Sequence, residues 1–189
     1  MTRMTLADFE ARYAAQGDPW GYAKSEYEQR KYAATLAACG PGPFDCALEL
    51  GGSIGVFSAQ LAPRCRHLVT LDAAPTAVAA ARERLADAPH VDVVLGAIPT
   101  AIPDSCYDLV LASEILYYLD ADELEATLSA LAAHTFPGAR VVAVHWRPPG
   151  PERPFDAAQV HAALHRQSWL APAGSHSTPD YLLDAWERR

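Results

Sequence analysis

Residues 48–57 read LELGGSIGVF. An acidic residue, Glu49, is followed by a small glycine-dense turn and then by a hydrophobic run. The pattern predicts that a strand ends, the backbone bends sharply, and a helix begins over a bound ligand. Gly51 and Gly52 let the backbone approach that ligand and permit positive φ. Gly55 lets the next helix pack against the strand. The dinucleotide pattern GxGxxG is absent, because Ser53 stands where a second glycine is expected. About 20 residues on, another apolar stretch ends in Leu71-Asp72. In a doubly wound fold that aspartate lies beside the glycine turn, where its two oxygens can accept both hydroxyls of a ribose. The expected ligand therefore contains adenosine.

Around this turn the chain alternates between two periods. FDCALEL (44–50), HLVTLD (67–72), VDVVLGAI (91–98), the start of YDLVLASEILYYL (107–119) and ARVVAVHW (139–146) read as strands. SIGVFSAQLAPR (53–64), TAVAAARERLAD (76–87) and ADELEATLSALAAHT (121–135) read as helices. Pro137-Gly138 reads as a turn. Continuous apolar strands in β-α-β order argue for a parallel sheet with both faces covered. Upstream, Thr5 caps a helix carrying Leu6, Phe9 and Tyr13, and a second helix runs from about Ser25 to the breaker Gly40-Pro41-Gly42-Pro43. Downstream, RPPGPERP (147–154) is a loop and Asp156 caps a short helix. SWLAPAGS and DYLLDAWER, joined by a short turn, pair antiparallel. The expected fold class is α/β, a Rossmann-like, mostly parallel sheet closed by a C-terminal antiparallel hairpin, with helices on both faces and extra N-terminal helices. All 189 residues form one domain, with 1–40 as a helical lid and 44–189 as the core.

Bulk properties narrow the partners. Half the residues are hydrophobic, a fifth are charged, and the net charge is -8 with a pI near 5.3. Such a surface repels phosphate backbones, which argues against nucleic acid. No apolar run approaches the roughly 20 residues of a spanning helix, and the N-terminus has no secretory h-region. Cys39, Cys46, Cys65 and Cys106 form no CxxC pair and no zinc spacing. Reduced thiols in a cytoplasmic protein, monomeric or homodimeric, are expected. His161 and His165 share a helix face at metal-ligand spacing, but no third ligand is evident, so no metal is expected.

NAD and S-adenosylmethionine both contain adenosine. Three features favour the second. Glu49 would repel a pyrophosphate but not a zwitterionic methionine tail. The full glycine fingerprint is missing. VLGAIP, at the end of the third strand, offers a small apolar wall for adenine. An NAD-dependent oxidoreductase and a non-catalytic adenosine-binding protein remain as readings of other classes.

At this point the chain resembles the class I S-adenosylmethionine-dependent methyltransferases. Glu49-Leu50-Gly51-Gly52-Ser53-Ile54-Gly55 is similar to their first motif and Asp72 to their ribose-binding acid, and the resemblance implies a seven-stranded sheet. A narrower resemblance is carried by DPWGYAKSEYEQRKYAATL (18–36), LAPRCRHL (61–68) and ASEILYYL (112–119). These segments resemble the nodulation protein S group, N-methyltransferases of lipo-chitooligosaccharide synthesis, in which small residues other than glycine are tolerated at Ser53. The resemblance covers most of residues 12–145 and fades beyond them. It implies methyl transfer to a small-molecule acceptor, leaving S-adenosylhomocysteine. An amino-sugar or amine nitrogen is the first expectation and O-methylation the second.

The resemblance gives Gly51, Gly52, Gly55 and Asp72 to the cofactor, with Ala73 touching adenine and Gly96, Ala97 and Ile98 flanking it. Trp20 and Tyr22 follow an Asp-Pro turn and are placed to close over the methionine end, or else to pack helix on helix. Tyr27, Lys31 and Tyr32 share a helical face and reach cofactor or acceptor, or pack on the sheet. Lys31 contacts the methionine carboxylate or is solvated. Ser113 and Glu114 stand at the carboxyl end of the fourth strand, where open sheets bind ligands. Glu114 is placed to steer a protonated amine and accept its proton, or to bond the N-terminal helices. Tyr117 and Tyr118 form an acceptor wall. His145 ends the fifth strand and is the candidate general base by position and by the usual histidine range, or a buried structural histidine.

Overall fold

The computed structural model describes residues 3–189; Met1 and Thr2 lie outside the described residues. Seven strands form one sheet: β1 (Ala47–Leu50), β2 (Leu68–Asp72), β3 (Val91–Leu95), β4 (Tyr107–Ser113), β5 (Thr135–Trp146), β6 (Leu170–Ser177) and β7 (Tyr181–Arg188). Their order is β3-β2-β1-β4-β5-β7-β6. The first five strands pair in parallel, and β7 enters antiparallel between β5 and β6. The expected Rossmann-like sheet and its terminal hairpin are both present. The chain winds outward from β1 through β2 to β3, then returns to β4 on the other side. That reversal opens a crevice at the carboxyl ends of β1, β2 and β4, where open α/β sheets bind ligands.

Every residue of β1 is buried, as a central strand covered on both faces requires. In β4 successive side chains enter opposite cores. Leu109 and Leu111 pack with Tyr32, Phe57 and Val144, while Val110 and Ala112 pack with Leu124, Leu128 and Val160. Leu48, Leu50, Leu109 and Leu111 are wholly buried, each stabilising by about 2 kcal/mol. Among the described residues, no helix is long and apolar enough to cross a membrane.

Six α-helices surround the sheet: α1 (Leu6–Gln16), α2 (Glu26–Cys39), α3 (Val56–Leu61), α4 (Pro75–Arg84), α5 (Ala121–His134) and α6 (Ala157–His165). Thr5 caps α1 in a reciprocal box with Asp8, and Ser25 caps α2. Between them Asp18 accepts from the amides of Tyr22 and Ala23 and fixes the DPWGY turn. Glu10 of α1 accepts from both the amide and the hydroxyl of Thr76, tying α1 to α4.

Several boundaries differ from the sequence reading, β3 for example ending at Leu95 and not at 98, and three of the differences are informative. β1 is shorter, because the amides of Asp45 and Cys46 donate to the side chain of Asp108 in β4 and not to a strand backbone. α3 starts at Val56, not Ser53, because Ser53 and Gly55 have positive φ of 52° and 75° and belong to the turn. Pro137-Gly138 lies inside β5, where the register against β4 shifts between Tyr107 and Leu109. Gly138 has φ 83°, so the chain does turn there, inside the strand and not before it.

Candidate active site

The glycine turn is held on both sides. Gly51 has φ 74°, and a Cβ there would sit 3.1 Å from Cβ of Ile115. Gly52 does not have positive φ. A Cβ on it would lie 1.9 Å from Oγ1 of Thr70, so the neighbouring strand by itself requires a glycine here. Gly55 abuts Ala81 of α4 and Leu85 just after it and lines none of the cavities at this end of the sheet. It packs against that helix and not against the strand. Ser53 adopts the left-handed region despite its side chain, at a cost of about 1 kcal/mol. Two bonds offset that cost: its amide donates to Oδ2 of Asp72 at 2.9 Å, and its Oγ is 2.6 Å from Oη of Tyr13.

Asp72 ends β2 with Oδ2 on Ser53 and Oδ1 on the amide of Ala74, also at 2.9 Å. Each oxygen keeps a further lone pair for a ligand hydroxyl. Burial pushes its carboxyl up, against the pull of the Ala74, Ser53 and Ala73 amides. Glu49 lies beneath the turn. Its Oε2 accepts from Ser58 at 2.5 Å, and burial pushes this carboxyl up as well. Its charge is thus less available to repel a pyrophosphate than the sequence implies; it offers an acceptor where a pyrophosphate needs donors.

Two cavities share the turn. The larger runs past Asp72, Ala73, Gly96, Ala97, Ile98 and Ser113 and is roofed by Phe9, Tyr13, Trp20, Tyr22 and Tyr118. The roof is an aromatic chain: Phe9 to Tyr118 at 4.9 Å, Tyr13 to Trp20 at 5.3 Å, Trp20 stacked on Tyr22 at 5.8 Å. The smaller, inner cavity is lined by Glu28, Tyr32, Glu49, Gly52 and Phe57. Tyr22, Gly51, Ser53, Ser113 and Glu114 line both. A long ligand with a nucleoside at the Asp72 end and a short polar tail at the glycine turn fits this trough.

Lys31 is not solvated. It is 2% exposed, with Nζ 2.7 Å from Glu114 Oε1 and 3.1 Å from Glu28 Oε1. Burial alone would lower its ammonium, but Glu114 and Glu28 outweigh burial and hold it above the ordinary lysine range. Glu114 has φ 55°. Its Oε2 accepts from the hydroxyl of Tyr117 and from the amide of Trp146. With one bond to Oε1 and two to Oε2, Glu114 anchors the segment after β4. Tyr117 is buried, and burial drives its phenol far up, so it stays a donor to Glu114.

His145 requires a correction. It is wholly buried and lines none of the cavities at this end of the sheet. The amide of Leu116 donates to its Nε2 at 3.3 Å, so its proton is on Nδ1, which donates to Nε2 of His161 at 3.1 Å. His161 Nδ1 then donates to Asp184 at 2.6 Å. Burial, with the neighbouring His161, Lys31 and Arg153, depresses the His145 imidazole well below its ordinary range. Both nitrogens are occupied and no acceptor can reach them, so His145 holds the backbone after β4 and takes no proton from substrate. His161 and His165 both turn towards Asp184, and among the described residues no group of metal-ligating side chains comes together.

A family model described as Nodulation protein S matches residues 5–142. The chain belongs to the nodulation protein S family. It is 32% identical over 110 residues to Nodulation protein S of Sinorhizobium fredii, covering 58% of this chain and 51% of that one. The protein of that name from Bradyrhizobium diazoefficiens is 34% identical over 128 residues, 67% of this chain and 61% of the relative. The matches thus span about half to three-fifths of these relatives. A crystal structure from Pseudomonas syringae, described provisionally as a methyltransferase, is 39% identical over 87% of this chain and all of that one, with a TM-score of 0.77. The N-methyltransferase NodS of Bradyrhizobium japonicum, solved with S-adenosylhomocysteine, has a TM-score of 0.88 over 97% of this chain and 98% of its own, at 23% identity. That likeness shows the fold.

The fold brings to the trough three residues that local sequence patterns do not mark. Tyr13 and Phe9 read as core positions of an amphipathic helix, yet both roof the larger cavity. Glu28 lies between Tyr27 and Lys31 in the sequence and lines the inner cavity. Its spacing of three from Lys31 was the available signal.

Proposed function

We propose that the chain is a single-domain methyltransferase that uses S-adenosylmethionine and methylates a small molecule at nitrogen, with an amino-sugar or other amine as acceptor. The observation that carries the reading is the placement of Asp72, hydrogen-bonded to Ser53 of the glycine turn, at one end of a trough whose other end is the turn itself. In this reading Asp72 receives the ribose hydroxyls. Ala73, Gly96, Ala97 and Ile98 surround adenine, and Gly51, Ser53, Ser113, Tyr22 and Tyr32 take the methionine end. Residues 1–40 act as the lid, since Tyr13, Trp20 and Tyr22 roof the trough. When bound, the sulfonium supplies an already activated methyl. The protein's part is alignment and exclusion of water by the aromatic roof.

Calorimetry with S-adenosylhomocysteine and with NAD tests the cofactor. The first binds and the second does not; the reverse result removes the reading. Asp72→Ala weakens S-adenosylhomocysteine at least about tenfold, because two buried charge-assisted hydrogen bonds are lost. Methyl transfer to glucosamine oligomers, and none to their N-acetylated forms, supports nitrogen over oxygen. Methylation of both forms at equal rates points to a hydroxyl.

A further inference from the structure

Beyond the trough lies an open cleft of about 510 Å³ between α2 and the loop after β5. Tyr22, Glu28 and Glu114 line both this cleft and the inner cavity at the glycine turn. They therefore mark the passage between the two. Glu114 accepts there from Lys31, Tyr117 and the Trp146 amide. Glu28 accepts from Lys31 alone. Lys31 Nζ bonds Glu28 Oε1; Oε2 is 2.9 Å from the same ammonium but outside hydrogen-bonding geometry and has no other partner. Glu28 is 8% exposed. The other buried side-chain polar atom without a partner among the described residues is Oη of Tyr27, which also lines the cleft. Orphaned buried polar atoms are rare, and each one calls for a cause. Tyr27 Oη, with no partner, and Glu28 Oε2, with none but the Lys31 ammonium, belong to neighbouring residues that line one cleft, so both have capacity left for a ligand.

Charge says which kind. Two buried carboxylates, Glu28 and Glu114, share the single ammonium of Lys31, so the group carries a net negative charge. Asp18, in the turn before α2, adds to the negative field at Glu28. Tyr117, Tyr118 and Trp146 line the cleft as well. Glu152 and Arg153 also line it with opposite charges, and the Arg153 guanidinium already lies 4.5 Å from the Tyr117 ring and 5.3 Å from the Trp146 ring, so the preference for a cation rests on the carboxylates. We infer that Glu28 and Tyr27 form a receptor for a protonated primary amine, with Glu28 taking the amine's proton at the mouth of the inner cavity. This rests on the methyltransferase reading above. An N–H bond breaks and an O–H bond forms on Glu28 Oε2. The electron pair left on nitrogen then makes the N–C bond as the C–S bond breaks, its electrons staying on sulfur. Burial pushes the Glu28 carboxyl up, against Lys31, which moves it towards the amine it must deprotonate. Glu28 is then a catalytic residue, and Lys31 positions it.

The test uses the full chain saturated with S-adenosylhomocysteine, titrated at neutral pH with benzylammonium and with its neutral counterpart benzyl alcohol. The cation binds at least about tenfold tighter than the alcohol, and Glu28→Gln removes that preference. Tyr27→Phe deletes a hydroxyl that bonds nothing in the free protein. It leaves the melting temperature unchanged and weakens benzylammonium about three- to fivefold. Equal affinity for the two probes, no benzylammonium binding, or a preference that survives Glu28→Gln overturns the inference. Should Glu28→Gln not fold, Tyr27→Phe decides, and an unchanged cation affinity in that variant removes the receptor. If S-adenosylhomocysteine does not bind, the methyltransferase reading falls and this inference with it. Its binding without an amine preference removes the inference alone.

Discussion

Nζ of Lys31 lies 2.7 Å from Oε1 of Glu114, 83 residues further along the chain. The contact joins α2 to the carboxyl end of β4. It couples the N-terminal helices to the part of the sheet where the trough and the cleft meet. It is buried, with the lysine side chain 2% and the glutamate side chain 11% exposed, so solvent neither screens it nor replaces it.

Removing Lys31 leaves two carboxylates buried without a counter-charge. Lys31→Met is expected to cost about 3–5 kcal/mol, the usual penalty for breaking a buried pair from one side. Urea unfolding measures it. Adding Glu28→Gln and Glu114→Gln to Lys31→Met should recover much of that loss, because the penalty lies in the stranded charges and not in the missing contact. A triple variant as unstable as the single one would show that packing by the lysine stem dominates.

Gly52 tests whether the turn is built for its own sheet. A Cβ there meets Oγ1 of Thr70 at 1.9 Å, a clash relieved only if the Thr70 hydroxyl rotates away or β2 shifts. Gly52→Ala is expected to destabilise by about 1–3 kcal/mol, as overpacking does. Thr70→Ala removes the clashing oxygen. The pair should therefore show a coupling of at least about 0.5 kcal/mol in a thermal double-mutant cycle. Additive effects would mean that backbone strain at Gly52, and not Thr70, sets the cost.

What could be read in the sequence follows from the range of each signal. The order of strands and helices was legible because period and turn chemistry are local. The terminal hairpin was legible because so short a joint allows only antiparallel pairing. Asp72 and the glycine turn were legible for the same reason, as each ends a strand. Lys31 was not, since its burial depends on a partner 83 residues away, and an isolated lysine on a helix reads as solvated. His145 was misplaced by reading strand position without strand face. Along β5, Val141 and Ala143 enter the core that holds Val160 and Trp186, while Val142 and Val144 enter the one that holds Tyr32. Counting by two puts His145 on the α6 side, away from α2.

That burial makes His145 a source of acid sensitivity. In the unfolded chain a histidine takes up a proton as pH falls through about 6.5. In the folded chain His145 does not, because burial depresses it well below that value. A proton on Nε2 would also face the Leu116 amide, donor against donor. The unfolded state then binds more protons, so stability contributed by His145 is complete above pH 6.5 and is lost as pH falls below it. The slope is about 1.4 kcal/mol per pH unit. Glu49 and Asp72 act in the opposite sense, since raised carboxyls favour the folded state at low pH. The effect is therefore read as a difference between the natural chain and His145→Gln, by urea unfolding at pH 7.5, 6.0 and 5.0. The natural chain should lose its advantage steadily between pH 6.5 and 5.0. Parallel stability curves for the two proteins would mean that His145 is protonated in the fold, and that the directed chain from Leu116 through His161 to Asp184 is not what holds the segment after β4.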